Sequence, residues 1–188
     1  MTGLRRAGYV LAGGRSSRMG RDKAFLPVNQ AGEIMIDRVA RLVLGAAGNV
    51  TLIGPPERYS RLGYRVVSDK IENCGPLGGL YTALNMTDAD WNLIAACDMP
   101  DLTAGLLETL FATAESVDAD CVVPQSPGGL DPLCAVYHRR CAAAATDAID
   151  LKILKMHNFI SNLQVVFLPV SDSAALRNIN TPEEWSSR

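Results

Sequence analysis

Apolar positions along the 188-residue chain alternate between short continuous runs and stripes spaced three and four residues apart. Tyr9-Val10-Leu11-Ala12, closed by Gly13-Gly14, reads as a strand feeding a glycine loop. Between Glu33 and Leu44 apolar residues fall at Ile36, Val39, Ala40 and Val43, the spacing of a helix that ends near Gly45 and Gly48. Val50 to Ile53, broken by Gly54-Pro55-Pro56, and Tyr64 to Val67 are short strands, and a turn-rich stretch from Asp69 to Pro76 follows. Leu77, Leu80, Tyr81 and Leu84 share one helical face, with Pro76 suited to the helix start. Trp91 to Cys97 is almost continuously apolar, as expected of a strand covered on both faces of a parallel sheet. Thr103 is placed to cap a helix carrying Leu106, Leu107, Leu110 and Phe111. Cys121-Val122-Val123, Cys134-Ala135-Val136-Tyr137 and Leu163 to Val170 read as strands, and the alanine-rich 141–148 as a helix. Thr181-Pro182-Glu183-Glu184 is a capping box that opens a terminal helix. This alternation predicts an α/β fold with a mainly parallel sheet, and residues 1–188 are expected to form one domain.

Composition narrows the classes. Apolar residues make up 48% and charged residues 20%, too hydrophobic for a disordered chain. A chain of this length buries roughly 70% of its unfolded surface and needs no disulfide or metal staple. The five cysteines (Cys74, Cys97, Cys121, Cys134 and Cys141) form no Cys-x-x-Cys pair, and two histidines complete no zinc set. The apolar runs are too short for a membrane span, and because Met1 to Arg6 lead directly into the first predicted strand, no signal peptide is expected. The expected setting is a reduced cytoplasm, without membrane association. The net charge of −2 excludes a general nucleic-acid surface. The average hides an asymmetry: residues 1–23 sum to +5 and the remainder to −7, so basic charge gathers where the glycines are.

In open α/β sheets ligands bind at the carboxyl ends of strands, and four clusters fall at predicted strand or helix ends. The first runs from Leu11 through Ala12, Gly13, Gly14 and Arg18 to Lys23. Its glycines let backbone amides approach phosphate oxygens, and Arg18 and Lys23 add positive charge. The order of residues matches neither Gly-x-Gly-x-x-Gly nor the P-loop. Asp98, in Cys97-Asp98-Met99-Pro100, is a carboxylate at the mouth of a buried strand, a hard ligand suited to Mg²⁺, or else the start of a turn before proline. Asp69 with Gly75, Pro76, Leu77, Gly78 and Gly79 leaves room for a base or sugar against backbone; alone, the segment reads equally as turn and cap. Asn178 and Asn180 offer side-chain carbonyls to a ligand or metal, or simply form a turn before a helix. Cys97, ending an apolar strand, reads as inert packing, and His138 and His157 receive no role.

Leu-Ala-Gly-Gly-x-Ser-x-Arg-Met-Gly-x-Asp-Lys at 11–23, Gly-Pro-Leu-Gly-Gly at 75–79, Cys-Asp-Met-Pro at 97–100 and Asn-x-Asn-Thr-Pro-Glu-Glu at 178–184 together resemble the molybdenum cofactor guanylyltransferase family, in order and over almost the whole chain. The resemblance implies a Rossmann-like three-layer α/β/α nucleotidyltransferase fold. It also implies transfer of GMP from GTP to molybdenum-bound molybdopterin with release of pyrophosphate, using Mg²⁺. Under it, Leu11, Ala12, Gly13 and Gly14 lie against the nucleotide, Arg18 and Lys23 neutralise the phosphates, and Asp69 with Gly75–Gly79 stands near guanosine. Asp98 matches the magnesium ligand, and Asn178 and Asn180 fall on the acceptor side. The Gly13-Gly14 pair favours guanine where cytidylyl relatives carry Leu-Ala-Ala-Gly. Implied partners are GTP, the molybdopterin cofactor, and molybdoenzymes or their chaperones. The chain departs from the pattern at Ile53-Gly54-Pro55, where an asparagine is common, at Asp131-Pro132, where a His-Pro pair is usual, and at Asp150 to Lys155, where a glycine-arginine stretch is usual. The last two lie on the acceptor half. Two other readings stay open: transfer to another acceptor such as a sugar phosphate, or with a cytidylyl donor; and a nucleotide or cofactor binder without catalysis.

Overall fold

The strands form a sheet whose order is set by two parallel crossovers on either side of the first strand. The computed structural model describes residues 5–13 and 22–179. Strand β1 (Arg6–Leu11) pairs in parallel with β2 (Thr51–Ile53) on one edge and with β4 (Trp91–Ala96) on the other, and β3 (Arg65–Val67) extends the sheet beyond β2. Beyond β4 lies β7 (Cys134–His138), then β5 (Cys121–Ser126), whose other edge pairs in parallel with β8 (Val165–Pro169). The short β6 (Gly129–Leu130) makes a hairpin on β5. Of these pairings, β4–β7, β5–β7 and β5–β6 are antiparallel, so the sheet is mixed with mainly parallel strands. The antiparallel run of β7 follows from its hairpin-like return from β5, which leaves no room for a crossover helix.

Helices cover both faces. On one side α1 (Met35–Ala47) and α4 (Ala104–Ser116) pack on Val10, Leu52, Leu93 and Ala95; on the other α3 (Gly75–Leu84), α5 (Cys141–Asp150) and α6 (Met156–Ile160) pack on Tyr9, Leu11, Ile53 and Ile94. Neighbouring residues of β1 and β4 thus feed opposite cores, the two-faced burial that the apolar run at 91–97 predicts. Helix α1 runs through Gly45, because Ala46 and Ala47 still reach the core, and ends as expected at Gly48, whose left-handed φ of 76° releases the chain. Thr103 caps α4 through the Leu106 amide at 3.3 Å. A single-turn helix, α2 (Pro56–Tyr59), starts at once after the break at Gly54-Pro55, and its last residue is buried. The expected helix from Thr181 lies outside the described residues.

Candidate active site

Strand order reverses between β1 and β4, and in open α/β sheets the crevice outside the carboxyl ends of the strands at such a switch point is where ligands bind. Register brings Leu11 level with Ile53 on one side and Ala96 on the other. One residue further on, the Ala12 amide donates to the Ile53 carbonyl (2.8 Å) and the Cys97 amide to the Leu11 carbonyl (3.1 Å). Gly13 and Asp98 leave the sheet side by side on this frame.

Lys23 crosses to Asp98. It sits in a 3₁₀ turn, Lys23–Phe25, and its Nζ donates to Asp98 Oδ2 at 2.5 Å and to the Ile179 carbonyl at 3.3 Å. The Ile179 amide in turn donates to the Asp98 carbonyl at 3.0 Å, and Arg177 pairs with Asp101 at 3.1 Å. The stretch 177–179 is therefore strapped to the loop after β4. Asn178, within it, has a buried Oδ1 without a hydrogen-bond partner among the described residues. The Asp98 carboxylate and the unsatisfied Asn178 amide oxygen, one residue from the Ile179 backbone that meets Asp98, are both hard-oxygen donors of the kind that Mg²⁺ takes.

Asp69 lies beside Gly13 and the start of α3. A Cβ on Gly13 would stand 3.3 Å from Asp69 Oδ2, and one on Gly78 would stand 4.0 Å from Oδ1. Oδ1 is buried and has no hydrogen-bond partner among the described residues, and burial pushes the carboxyl above its usual range. The chain reaches α3 through two left-handed residues, Asn73 (φ 61°) and Gly75 (φ 58°). Cys74 makes no side-chain cap and Pro76 occupies the first turn, so the remaining amides there can serve an anion. Gly79 admits Leu11: a Cβ at 79 would come within 2.8 Å of Leu11 Cδ2. Leu77 is fully buried and serves the core beneath the site.

Of the residues singled out from sequence, Leu11, Ala12, Gly13, Lys23, Asp69, Gly78, Gly79 and Asp98 come together at the carboxyl ends of β1 and β4, Asn178 sits on the stretch strapped to Asp98, and Gly75, Pro76 and Leu77 form the start of α3, with Leu77 turned into the core. Gly14, Arg18 and Asn180 lie outside the described residues. One expectation needs correction. The basic excess of residues 1–23 does not all face the glycine end, because Arg5 and Arg6 stand at the amino end of β1. There Arg6 is matched by Glu115 at 2.6 Å and Glu108 at 3.0 Å, over the Phe111 ring. Cys97 is buried, with its thiol pushed up to about 12 by burial, as inert packing requires.

Three further residues have no sequence signal of their own. Asp22 belongs to the first motif, but its role shows only in the fold: its Oδ1 accepts from the Ala24 amide (3.1 Å) and holds the turn that carries Lys23. The Tyr59 hydroxyl lies 2.8 Å from both the Ala12 carbonyl and Asp22 Oδ2. No period marks Tyr59, which follows a proline pair in a one-turn helix. Ile179 contributes through its backbone, which no side-chain signal reveals.

Comparisons with known proteins bear on the family and the fold. A family model described as the MobA-like NTP transferase domain matches residues 8–164. A probable molybdenum cofactor guanylyltransferase of Pelotomaculum thermopropionicum is 35% identical over 96% of this chain and 90% of its own length. One from Synechococcus elongatus is 33% identical, covering 96% of each. The crystal structure of molybdopterin-guanine dinucleotide biosynthesis protein A from Archaeoglobus fulgidus superposes with a TM-score of 0.82 at 24% identity, covering 96% of this chain and 95% of that one. Among the described residues no helix is long and apolar enough to cross a membrane. By the extent of the family match and the identity to curated relatives, the chain belongs to the MobA-like NTP transferase family.

Proposed function

We propose that this nucleotidyltransferase moves GMP from GTP to the phosphate of molybdenum-bound molybdopterin and releases pyrophosphate, with residues 1–188 acting as one domain. The observation that carries the reading is the Lys23–Asp98 pair at the switch point between β1 and β4, with a half-buried Asp69 beside Gly13. In this reading the backbone of Leu11, Ala12, Gly13 and Gly14 lies along the nucleotide. Lys23, with Arg18, neutralises the triphosphate and the departing pyrophosphate. Asp69 and the 75–79 segment hold the guanosine. Asp98 is the magnesium ligand, and Asn178 and Asn180 serve the acceptor side, where the orphaned Asn178 oxygen also suits the metal.

The acceptor phosphate is already a nucleophile, so the protein needs no covalent intermediate. It must align that oxygen with the α-phosphate and stabilise the charge that collects on the leaving oxygens. Mg²⁺, when bound, supplies further positive charge at those oxygens. The pairing with Asp98 keeps the Lys23 ammonium aimed into the crevice rather than into solvent. The product passes to molybdoenzymes or their chaperones, within the cytoplasm.

Incubation with GTP, Mg²⁺ and a molybdopterin source tests this: pyrophosphate appears with GTP and not with CTP. Lys23→Ala and Asp98→Ala each lower kcat/KM by about 10²-fold or more with unchanged circular dichroism, the scale of losing one preorganised charge in an active site. Turnover with CTP alone moves the chain to a cytidylyl reaction. Turnover only with a sugar phosphate changes the acceptor, and GTP binding without pyrophosphate makes it a binder.

A further inference from the structure

The Tyr59 hydroxyl meets the chain on both sides of residues 13–21, at the Ala12 carbonyl and at Asp22. We propose that Tyr59 is a positioning residue: by tying Asp22 to the carboxyl end of β1, its hydroxyl sets Lys23 within reach of Asp98. The proposal deepens the functional reading above and rests on its assignment of Lys23 to the triphosphate.

Both oxygens of Asp22 are committed. Oδ1 accepts from the Ala24 amide and so belongs to the turn that carries Lys23, while Oδ2 accepts from Tyr59. The hydroxyl has one proton and faces two acceptors, so it is shared between the carboxylate and the carbonyl. The ring that carries it has little freedom. Tyr59 is 1% exposed, and Phe25, from the Lys23 turn itself, stacks on it with centroids 5.8 Å apart. On its other side Gly54 is what lets ring and strand come together: a Cβ there would stand 3.1 Å from the Ala12 carbonyl oxygen and 3.2 Å from Tyr59 Cε2. The chain of contacts runs from the β2–α2 connection through a fixed ring to Asp22 and then to Lys23. Among the described residues Arg58, half exposed, also stands 3.9 Å from Asp22 Oδ2, a weak substitute for the Tyr59 hydroxyl. Burial, reinforced by Asp22, raises the pKa of the phenol, so it remains a donor at neutral pH.

A tyrosine that merely satisfies buried polar groups would stabilise the fold without acting through Lys23, and two measurements on the full chain separate these roles. The first is the rate at which an amine-reactive ester acylates Lys23, read by peptide mass spectrometry against Lys70, Lys152 and Lys155 as internal references. In Tyr59→Phe, Lys23 is acylated several-fold faster and the reference lysines are unchanged. Asp22→Ala, which keeps the tyrosine, gives the same pattern and serves if the first variant folds poorly. The second is a GTP-affinity cycle by calorimetry. Tyr59→Phe weakens GTP about tenfold in the wild-type background, the equivalent of one good hydrogen bond, and by less than about twofold in Lys23→Ala. Unchanged Lys23 acylation in Tyr59→Phe, or an equal loss of affinity in both backgrounds, overturns the proposal. If the wild-type protein binds no GTP, the functional reading fails, and the acylation comparison still decides where Tyr59 holds Lys23.

Discussion

Asp69 is a carboxylate kept where its charge is expensive. One oxygen is buried without a hydrogen-bond partner among the described residues, and the flanking Gly13 and Gly78 leave space beside it. Native structures rarely leave such an oxygen unpaired unless a ligand or water completes it, and a sugar hydroxyl is a suitable donor. The trade between stability and binding is testable with Asp69→Asn, which is nearly isosteric and carries no charge. At neutral pH the variant is expected to be more stable by about 1 kcal/mol in urea denaturation while binding GTP about tenfold more weakly. Burial raises this carboxyl above 3.8 in the folded state, so the native protein takes up the proton before the unfolded chain does. The wild type therefore recovers stability relative to Asn as pH falls through the raised value towards 3.8, and the gap narrows in acid. A gap that widens in acid contradicts this account of Asp69.

Elements are held at their distances by single small residues, and β1 shows this most sharply. A Cβ on Gly8 would overlap Val43 Cγ1 and stand 2.8 Å from the Asn49 carbonyl, so α1 and the turn after it lie directly on the strand backbone. Gly8→Ala is expected to cost about 1–3 kcal/mol in denaturant-induced unfolding, the usual penalty for overpacking. Gly8 lies towards the amino end of the strand, so below its melting transition the variant should bind GTP within about twofold of wild type. Nothing in the sequence marks Gly8 as an element of packing, because a glycine just ahead of the Tyr9-Val10-Leu11-Ala12 run looks only like the frayed start of a strand. The periodic parts were legible for a physical reason: α1, α3, α4 and β4 each bury a stripe or face whose period is local. The antiparallel course of β7 and the one-turn α2 depend on neighbours far along the chain, and periodicity does not report them. The candidate site divides in the same way. Gly13, Lys23, Asp69 and Asp98 stood out as chemical types at element ends, whereas Tyr59 and the Ile179 backbone act through tertiary contacts.

At the scale of the molecule, the crevice joins points spread over most of the chain, from Leu11 through Lys23, Asp69 and Asp98 to Ile179. A ligand bound there bridges segments that separate only on global unfolding, so it stabilises the whole fold. With GTP and Mg²⁺ at about 100 times their dissociation constant, linkage predicts about 2.7 kcal/mol, or a rise in melting temperature of about 5–10 °C for a chain of this size. The same measurement locates the functional part of the basic amino-terminal region. Arg6 and Lys23 both belong to the +5 of residues 1–23, but they occupy opposite ends of β1. Arg6 is committed to Glu115, Glu108 and the Phe111 ring, and it braces α4 against the sheet. Arg6→Ala should lower the melting temperature of the free protein, because it strips two carboxylates of their partner, and leave the ligand-induced rise intact. Lys23→Ala should do the reverse, losing most of the rise with a smaller change in the free protein. Equal losses of the rise in both variants would mean that the charge acts through its long-range field; unequal losses place its action at the Lys23–Asp98 end of the strand.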